Sequence, residues 1–225
     1  MNQITDNLKN TQSAIRDACI RNKQTVRDDK DIRLIAVSKK QSDNAIDMML
    51  KAGQRIYGEN RVQEAMEHWG ERCMQYDDLE LHLIGPLQTN KVADAVKLFD
   101  VIQTLDRPKL VKALSKEMKK QDKYLPCFIQ VNTGAEEQKA GVEVEELADL
   151  LTLCVEEGLS VQGLMCIPPI NEPSALHFAF LKKLVEKHAL EHLSMGMSSD
   201  FEQAIPLGAT YVRVGTALFG ARDVS

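Results

Sequence analysis

Leu125-Pro126-Cys127-Phe128-Ile129-Gln130-Val131 opens the stretch that decides the architecture. It is apolar at nearly every position, as in a parallel strand covered on both faces, where a half-exposed strand would alternate. Residues 144–157 follow, with Leu147, Leu150, Leu151, Leu153 and Cys154 on an amphipathic helical pattern. Gly158 then stands where a left-handed turn would end the helix. A second apolar run, residues 160–165, comes directly after it. Strand, helix and strand in close succession make a βαβ unit with parallel strands.

Outward from this unit the alternation continues in both directions. Short apolar runs lie at 32–37, 55–57, 80–84 and 101–103 before it, and at 192–194 and 211–214 after it. Between them are helical patterns at 44–52 (Ile46, Met49, Leu50), 107–120 (Leu110, Val111, Leu114, Met118) and 175–188 (Leu176, Phe180, Leu184, Val185). Ahead of all of them, Ile4, Leu8, Ile15 and Cys19 share one face of an opening helix. Eight strand signals alternating with helices predict an α/β fold: a single (β/α)8 TIM barrel with an extra N-terminal helix, spanning residues 1–225 as one domain. An open doubly wound sheet usually has fewer strands and a glycine-rich first turn, and no GxGxxG or GxxxxGK[ST] follows any strand here.

Composition narrows the function. The 225 residues are 44% hydrophobic and 27% charged, enough for a sizeable core without disulfide or metal staples. Twenty-eight basic against thirty-three acidic residues give a net charge of -5, which speaks against a nucleic-acid-backbone binder. No apolar stretch is long enough for a membrane span, and Asp6, Lys9, Arg16 and Asp17 interrupt any secretory signal, so a cytoplasmic location is expected. Cys19, Cys73, Cys127, Cys154 and Cys166 are odd in number with no C-x-x-C pair, which predicts reduced, buried thiols. No HExxH occurs among His68, His82, His177, His188 and His192. Helix and strand readings meet between His188 and His192, so no metal cage is expected, and the histidines read as surface or second-layer residues.

In a barrel of this kind, chemistry belongs at the C-terminal ends of the strands. Ala36-Val37-Ser38-Lys39 ends the first, and strand parity puts Lys39 with Ile35 and Val37, Lys40 with Leu34 and Ala36. A lysine held there can be desolvated into an imine-forming nucleophile, or it can simply snorkel to water. Ser198, Ser199, Gly215 and Thr216 follow the seventh and eighth strands, the usual phosphate position of this architecture. The bland alternative is that Ser198 or Ser199 caps a helix over 200–205.

Together these segments resemble a known family. Ala36-Val37-Ser38-Lys39, Tyr57-Gly58-Glu59-Asn60-Arg61-Val62-Gln63-Glu64, His82-Leu83-Ile84-Gly85-Pro86-Leu87-Gln88-Thr89-Asn90-Lys91, Ser194-Met195-Gly196-Met197-Ser198-Ser199-Asp200 and Val212-Arg213-Val214-Gly215-Thr216 stand in the order found in pyridoxal phosphate homeostasis proteins of the YggS/PROSC type. Leu218-Phe219-Gly220-Ala221-Arg222 completes the likeness. The resemblance implies a barrel like the N-terminal domain of alanine racemase, of the fold-type III kind, holding pyridoxal 5′-phosphate (PLP). It implies that Lys39 carries PLP as an imine, and that Asn60 lies near the ring. Arg213 would then face the pyridine nitrogen, with Ser198, Ser199, Gly215 and Thr216 near the phosphate. Lys139 matches a basic position of the family.

The resemblance further implies PLP homeostasis, buffering, protecting or delivering the cofactor, with an indirect effect on amino-acid and keto-acid balance. Apo PLP-dependent enzymes would be partners, and no catalytic turnover is expected. Alanine racemase has a second domain and a catalytic tyrosine; Tyr57, Tyr76, Tyr124 and Tyr211 do not match it. Two readings compete: a small PLP-dependent amino-acid racemase or lyase, and a cofactor-free lyase acting on a sugar phosphate. A monomer is the expectation.

Overall fold

The computed structural model describes residues 3–21, 27–136 and 140–220. Eight parallel strands close in sequence order into a barrel. They are β1 (Arg33–Val37), β2 (Ile56–Glu59), β3 (Glu80–Leu83), β4 (Val101–Leu105), β5 (Cys127–Gln130), β6 (Val161–Met165), β7 (His192–Met197) and β8 (Tyr211–Val214). Leu34↔Val212 and Ile35↔Arg213 pair across the closing seam of β1 and β8.

The helices are α1 (Gln3–Arg21), α2 (Asp43–Lys51), α3 (Val62–Trp69), α4 (Val92–Leu98), α5 (Pro108–Gln121), α6 (Leu147–Glu157), α7 (Ser174–Lys187), α8 (Phe201–Ala204) and α9 (Thr216–Phe219). α6 ends as its sequence predicts: Gly158 takes φ +78° and its N–H returns to the Cys154 and Val155 carbonyls. Two helices carry too weak a pattern to be read beforehand. α3 buries only Val62, Ala65 and Trp69, and α4 only Val92, Ala95 and Val96, so small alanines replace part of the expected apolar face. In α7 the apolar face is displaced. Leu176 and Phe180 point outward, while His177, Phe178, Leu181, Leu184 and Val185 are buried.

Inward and outward strand positions form separate cores. Ile35, Val101, Phe128, Met165 and Tyr211 fill the barrel, and the larger cluster lies between the strands and the helical shell. Each fully buried Ile or Leu of that shell contributes roughly 1.5–3 kcal/mol. The extra helix α1 buries Ile4, Leu8, Ile15 and Cys19, and it lies against α2, α8 and α9. The Asn7 amide donates to the Leu218 carbonyl at 3.0 Å, which ties α1 to α9 beside the C-terminal mouth. Among the described residues, no helix is long and apolar enough to cross a membrane.

The histidine expectation needs correcting. His82 is 0% exposed inside the barrel and His177 is 5% exposed, hydrogen-bonded to Thr133 and Glu172. Both are held by polar partners that no sequence spacing shows. The cysteines are free thiols, all buried except half-buried Cys73, and burial pushes Cys154 and Cys166 up to about 12.

Candidate functional site

A cavity of about 620 Å³ opens at the C-terminal ends of the strands, and Lys39, Asn60, Ser198, Ser199, Arg213, Gly215 and Thr216 all line it. The sequence drew these residues from four segments; barrel closure brings them to one place. Lys139 lies outside the described residues.

Lys39 leaves the barrel wall immediately after β1. Val37 lines the cavity with it, as strand parity requires, while the intervening Ser38 turns outward and donates to Glu59 Oε1 at 2.7 Å. Lys40 then takes a left-handed conformation at φ +57°, and its N–H donates to Glu64, so the chain bends away after Lys39. Burial raises the pKa of Glu59, against the opposing pull of bonds from Ser38, His68 and Trp69.

Asn60 follows β2 and is fixed from below by Gly85. A Cβ at Gly85 would lie 2.3 Å from the Asn60 carbonyl oxygen, so this backbone approach requires glycine. The side-chain oxygen of Asn60 is buried and has no hydrogen-bond partner. A buried orphan acceptor at a cavity wall is costly unless a ligand or water supplies a donor.

Arg213 forms part of the cavity floor with only 4% of its surface exposed. Its Nη1 donates to Ser194 Oγ at 2.7 Å and its Nη2 to the Cys166 carbonyl at 2.8 Å. Both partners are neutral, and among the described residues no carboxylate pairs with it. Burial lowers its pKa, and the Cys166 thiol and Asp200 oppose this only in part. A guanidinium nonetheless stays charged, so it offers the cavity donors and a positive potential without a transferable proton.

The rim is built by the loops after β7 and β8. Ser198 Oγ accepts the N–H of Gly215 at 3.1 Å and that of Ala217 at 3.4 Å. With both lone pairs taken, its own O–H is left to donate. Ser198 therefore bridges two loops, and the capping alternative is not what is found: α8 follows Asp200, whose Oδ1 accepts the Met197 N–H at 2.6 Å. Ser199 and Thr216 stand exposed at the same rim. One amine, three hydroxyls and a buried guanidinium around a partly apolar cavity suit a phosphorylated aromatic aldehyde, so the residues present fit PLP. Sequence reasoning missed Gln41, Ile84, Ile167 and Met197 on the walls, and the anchors Ser194 and Cys166. Strand parity on β7, which turns His192 and Ser194 inward, was the available signal for Ser194.

Residues 12–223 match the family described as alanine racemase, N-terminal domain. The pyridoxal phosphate homeostasis protein of Haemophilus influenzae is 39% identical over 236 residues, covering 99% of this chain and 97% of that one. The structure of PipY from Synechococcus elongatus with PLP bound superposes with a TM-score of 0.81 at 34% identity, covering 96% of this chain and all of that one. An alanine racemase from Clostridium difficile shares the fold alone, with a TM-score of 0.72 at 14% identity, and the likeness spans 58% of its length. Fold, ordered motifs and full-length relatives agree: the chain belongs to the pyridoxal phosphate homeostasis proteins, built on the alanine racemase N-terminal-domain barrel.

Proposed function

We propose that this chain, as one domain over residues 1–225, binds PLP at the C-terminal mouth of its barrel. It buffers, protects or delivers the cofactor as a monomeric cytoplasmic protein, without catalytic turnover. The observation that carries this reading is the content of the cavity. Among its described lining residues, Lys39 supplies the one amine, and Arg213 is the only other ionisable side chain. The name of the relatives and the PLP bound to PipY support the choice of cofactor.

PLP, when bound, supplies an aldehyde that takes up amines and a ring that withdraws electrons. Lys39 would provide the attaching amine, Asn60 would lie beside the ring, and Ser198, Ser199, Gly215 and Thr216 would hold the phosphate. Arg213 would donate to the ring nitrogen but could not surrender its proton, so it would not create the strong electron sink that an acidic partner would. A second acid or base is also lacking among the described residues of the cavity. Tyr57 packs on Trp69 with ring centroids 4.4 Å apart in the outer shell, Tyr211 belongs to the barrel interior, and Tyr124 is 62% exposed. Proton removal and return on opposite faces would fall to Lys39 alone.

The test joins two measurements on the purified PLP-loaded protein. It should pass PLP to an apo PLP-dependent enzyme, and it should exchange the α-proton of amino acids no faster than free PLP. Multiple-turnover exchange far above free PLP, abolished by Lys39→Ala, would replace this reading by that of a small racemase or lyase. Binding of a sugar phosphate with no uptake of PLP would favour a cofactor-free lyase.

A further inference from the structure

Arg213 is the top of a chain of hydrogen bonds that crosses the barrel interior. Its Nη1 reaches Ser194 Oγ at 2.7 Å; Ser194 Oγ lies 2.6 Å from Gln103 Oε1; Gln103 Nε2 lies 2.8 Å from His82 Nδ1; and His82 Nε2 lies 2.6 Å from Glu80 Oε1. Glu80 is paired in turn with Arg33, at the N-terminal end of β1. Ser194, Gln103 and His82 are each 0% exposed. The chain thus runs from the floor of the C-terminal cavity to the opposite mouth.

Its ends fix the direction of every bond. A guanidinium only donates, so Ser194 must accept from Arg213 and give its own proton to Gln103 Oε1. The amide nitrogen of Gln103 then faces His82, whose Nδ1 must carry the lone pair. His82 is left with its proton on Nε2, aimed at the Glu80 carboxylate, which in the ionised form only accepts. One polarity satisfies all five groups, and such a chain is reinforced by mutual polarisation in a dry interior.

We propose that Ser194, Gln103 and His82 are positioning residues that hold the Arg213 guanidinium in one orientation and link it to the Glu80–Arg33 pair on the other side of the barrel. Among the described residues, Arg213 is otherwise hydrogen-bonded only to the Cys166 carbonyl, so without the relay its plane could turn. The relay takes the place of the direct carboxylate partner that a buried arginine ordinarily has. Its consequence for the bound cofactor rests on the PLP reading; its effect on Arg213 does not.

The experiment therefore has a ligand-free arm and a loaded arm. Nitrogen NMR of the ligand-free protein should show His82 at neutral pH as a single neutral Nε2–H tautomer, and Arg213 with slowly rotating Nη groups. In Gln103→Leu the Arg213 rotation should quicken, the absorption band of bound PLP should shift, and PLP affinity should fall about five- to tenfold, the loss of roughly one hydrogen bond. Gln103→Glu keeps the acceptor for Ser194 but presents a carboxylate to His82 Nδ1. It should restore slow Arg213 rotation while converting His82 to the imidazolium. A merely space-filling Gln103 would not produce that split. Should Gln103→Leu fail to fold, Ser194→Ala cuts the chain at the hydroxyl and is read the same way. An Nδ1–H tautomer or imidazolium in the wild type, or Arg213 rotation and PLP band unchanged in a folded cut variant, would overturn the relay. Failure of the wild type to take up PLP would instead overturn the functional reading, with the ligand-free arm still deciding the relay.

Discussion

The hydroxyl of Ser198 accepts the backbone N–H of Gly215 at 3.1 Å, which locks the loop leaving β7 to the loop leaving β8. The rim of the cavity is thereby one unit, in which Ser198 has its own proton left for an incoming anion. Ser198→Ala with Thr216→Ala should weaken PLP binding more than pyridoxal binding. Each lost charge-assisted bond accounts for about 1.5–3 kcal/mol. Loosening of the loops would affect both ligands alike, so the comparison isolates the phosphate. Equal losses by titration calorimetry would place the phosphate elsewhere.

Lys39 faces the cavity, whereas Lys40 is exposed on a left-handed turn. Borohydride reduction of the PLP-loaded protein should leave the pyridoxyl group on Lys39, because only an imine is trapped as a stable amine. Peptide mapping that finds the label mainly on Lys40 or Lys139 would refute the assignment.

Gly196, within β7, takes φ +92°, and a Cβ there would lie 2.7 Å from Ala204 Cβ and 2.8 Å from Phe201 Cα. Gly196→Ala should destabilise the protein by about 1–3 kcal/mol through backbone strain and displacement of α8. It should also weaken ligand binding, since Ser198 and Ser199 follow directly. An unchanged urea midpoint would mean that the backbone at Gly196 relaxes without cost.

Burial holds the pKa of His82 below its ordinary value of 6.5, outweighing the pull of Glu80 in the other direction. Burial also pushes Glu80 up, but His82 and Arg33 more than offset it and keep that carboxylate below its usual range. Below 6.5 the unfolded chain therefore protonates this histidine while the folded chain resists, so its contribution to stability is lost as pH falls through that value. Glu80 works in the same direction at lower pH, losing its stabilisation as pH falls through its lowered pKa. The melting temperature should drop more steeply between about pH 7 and about pH 5 in the wild type than in His82→Gln, which removes the titrating ring. Parallel curves for the two proteins would show that His82 is not held neutral.

Local pattern determined much of this molecule. The doubly apolar run ending at Val131, the α6 pattern with its Gly158 stop and the repeated alternation around them are properties of neighbouring residues, and they suffice for a (β/α)8 barrel. Parity put Lys39 on one face with Ile35 and Val37, and ordered motifs named residues that line the cavity. The tertiary structure decided what depends on distances between strands. Arg213 is anchored by Ser194 on β7 and by the Cys166 carbonyl after β6; Ser194 meets Gln103 from β4; and Gln103 meets His82 from β3. Periodicity reports which face of a segment is apolar, but not which polar atoms meet across a closed barrel. Those meetings are set by strand register and closure, where each buried donor must find an acceptor on a strand far away in the chain.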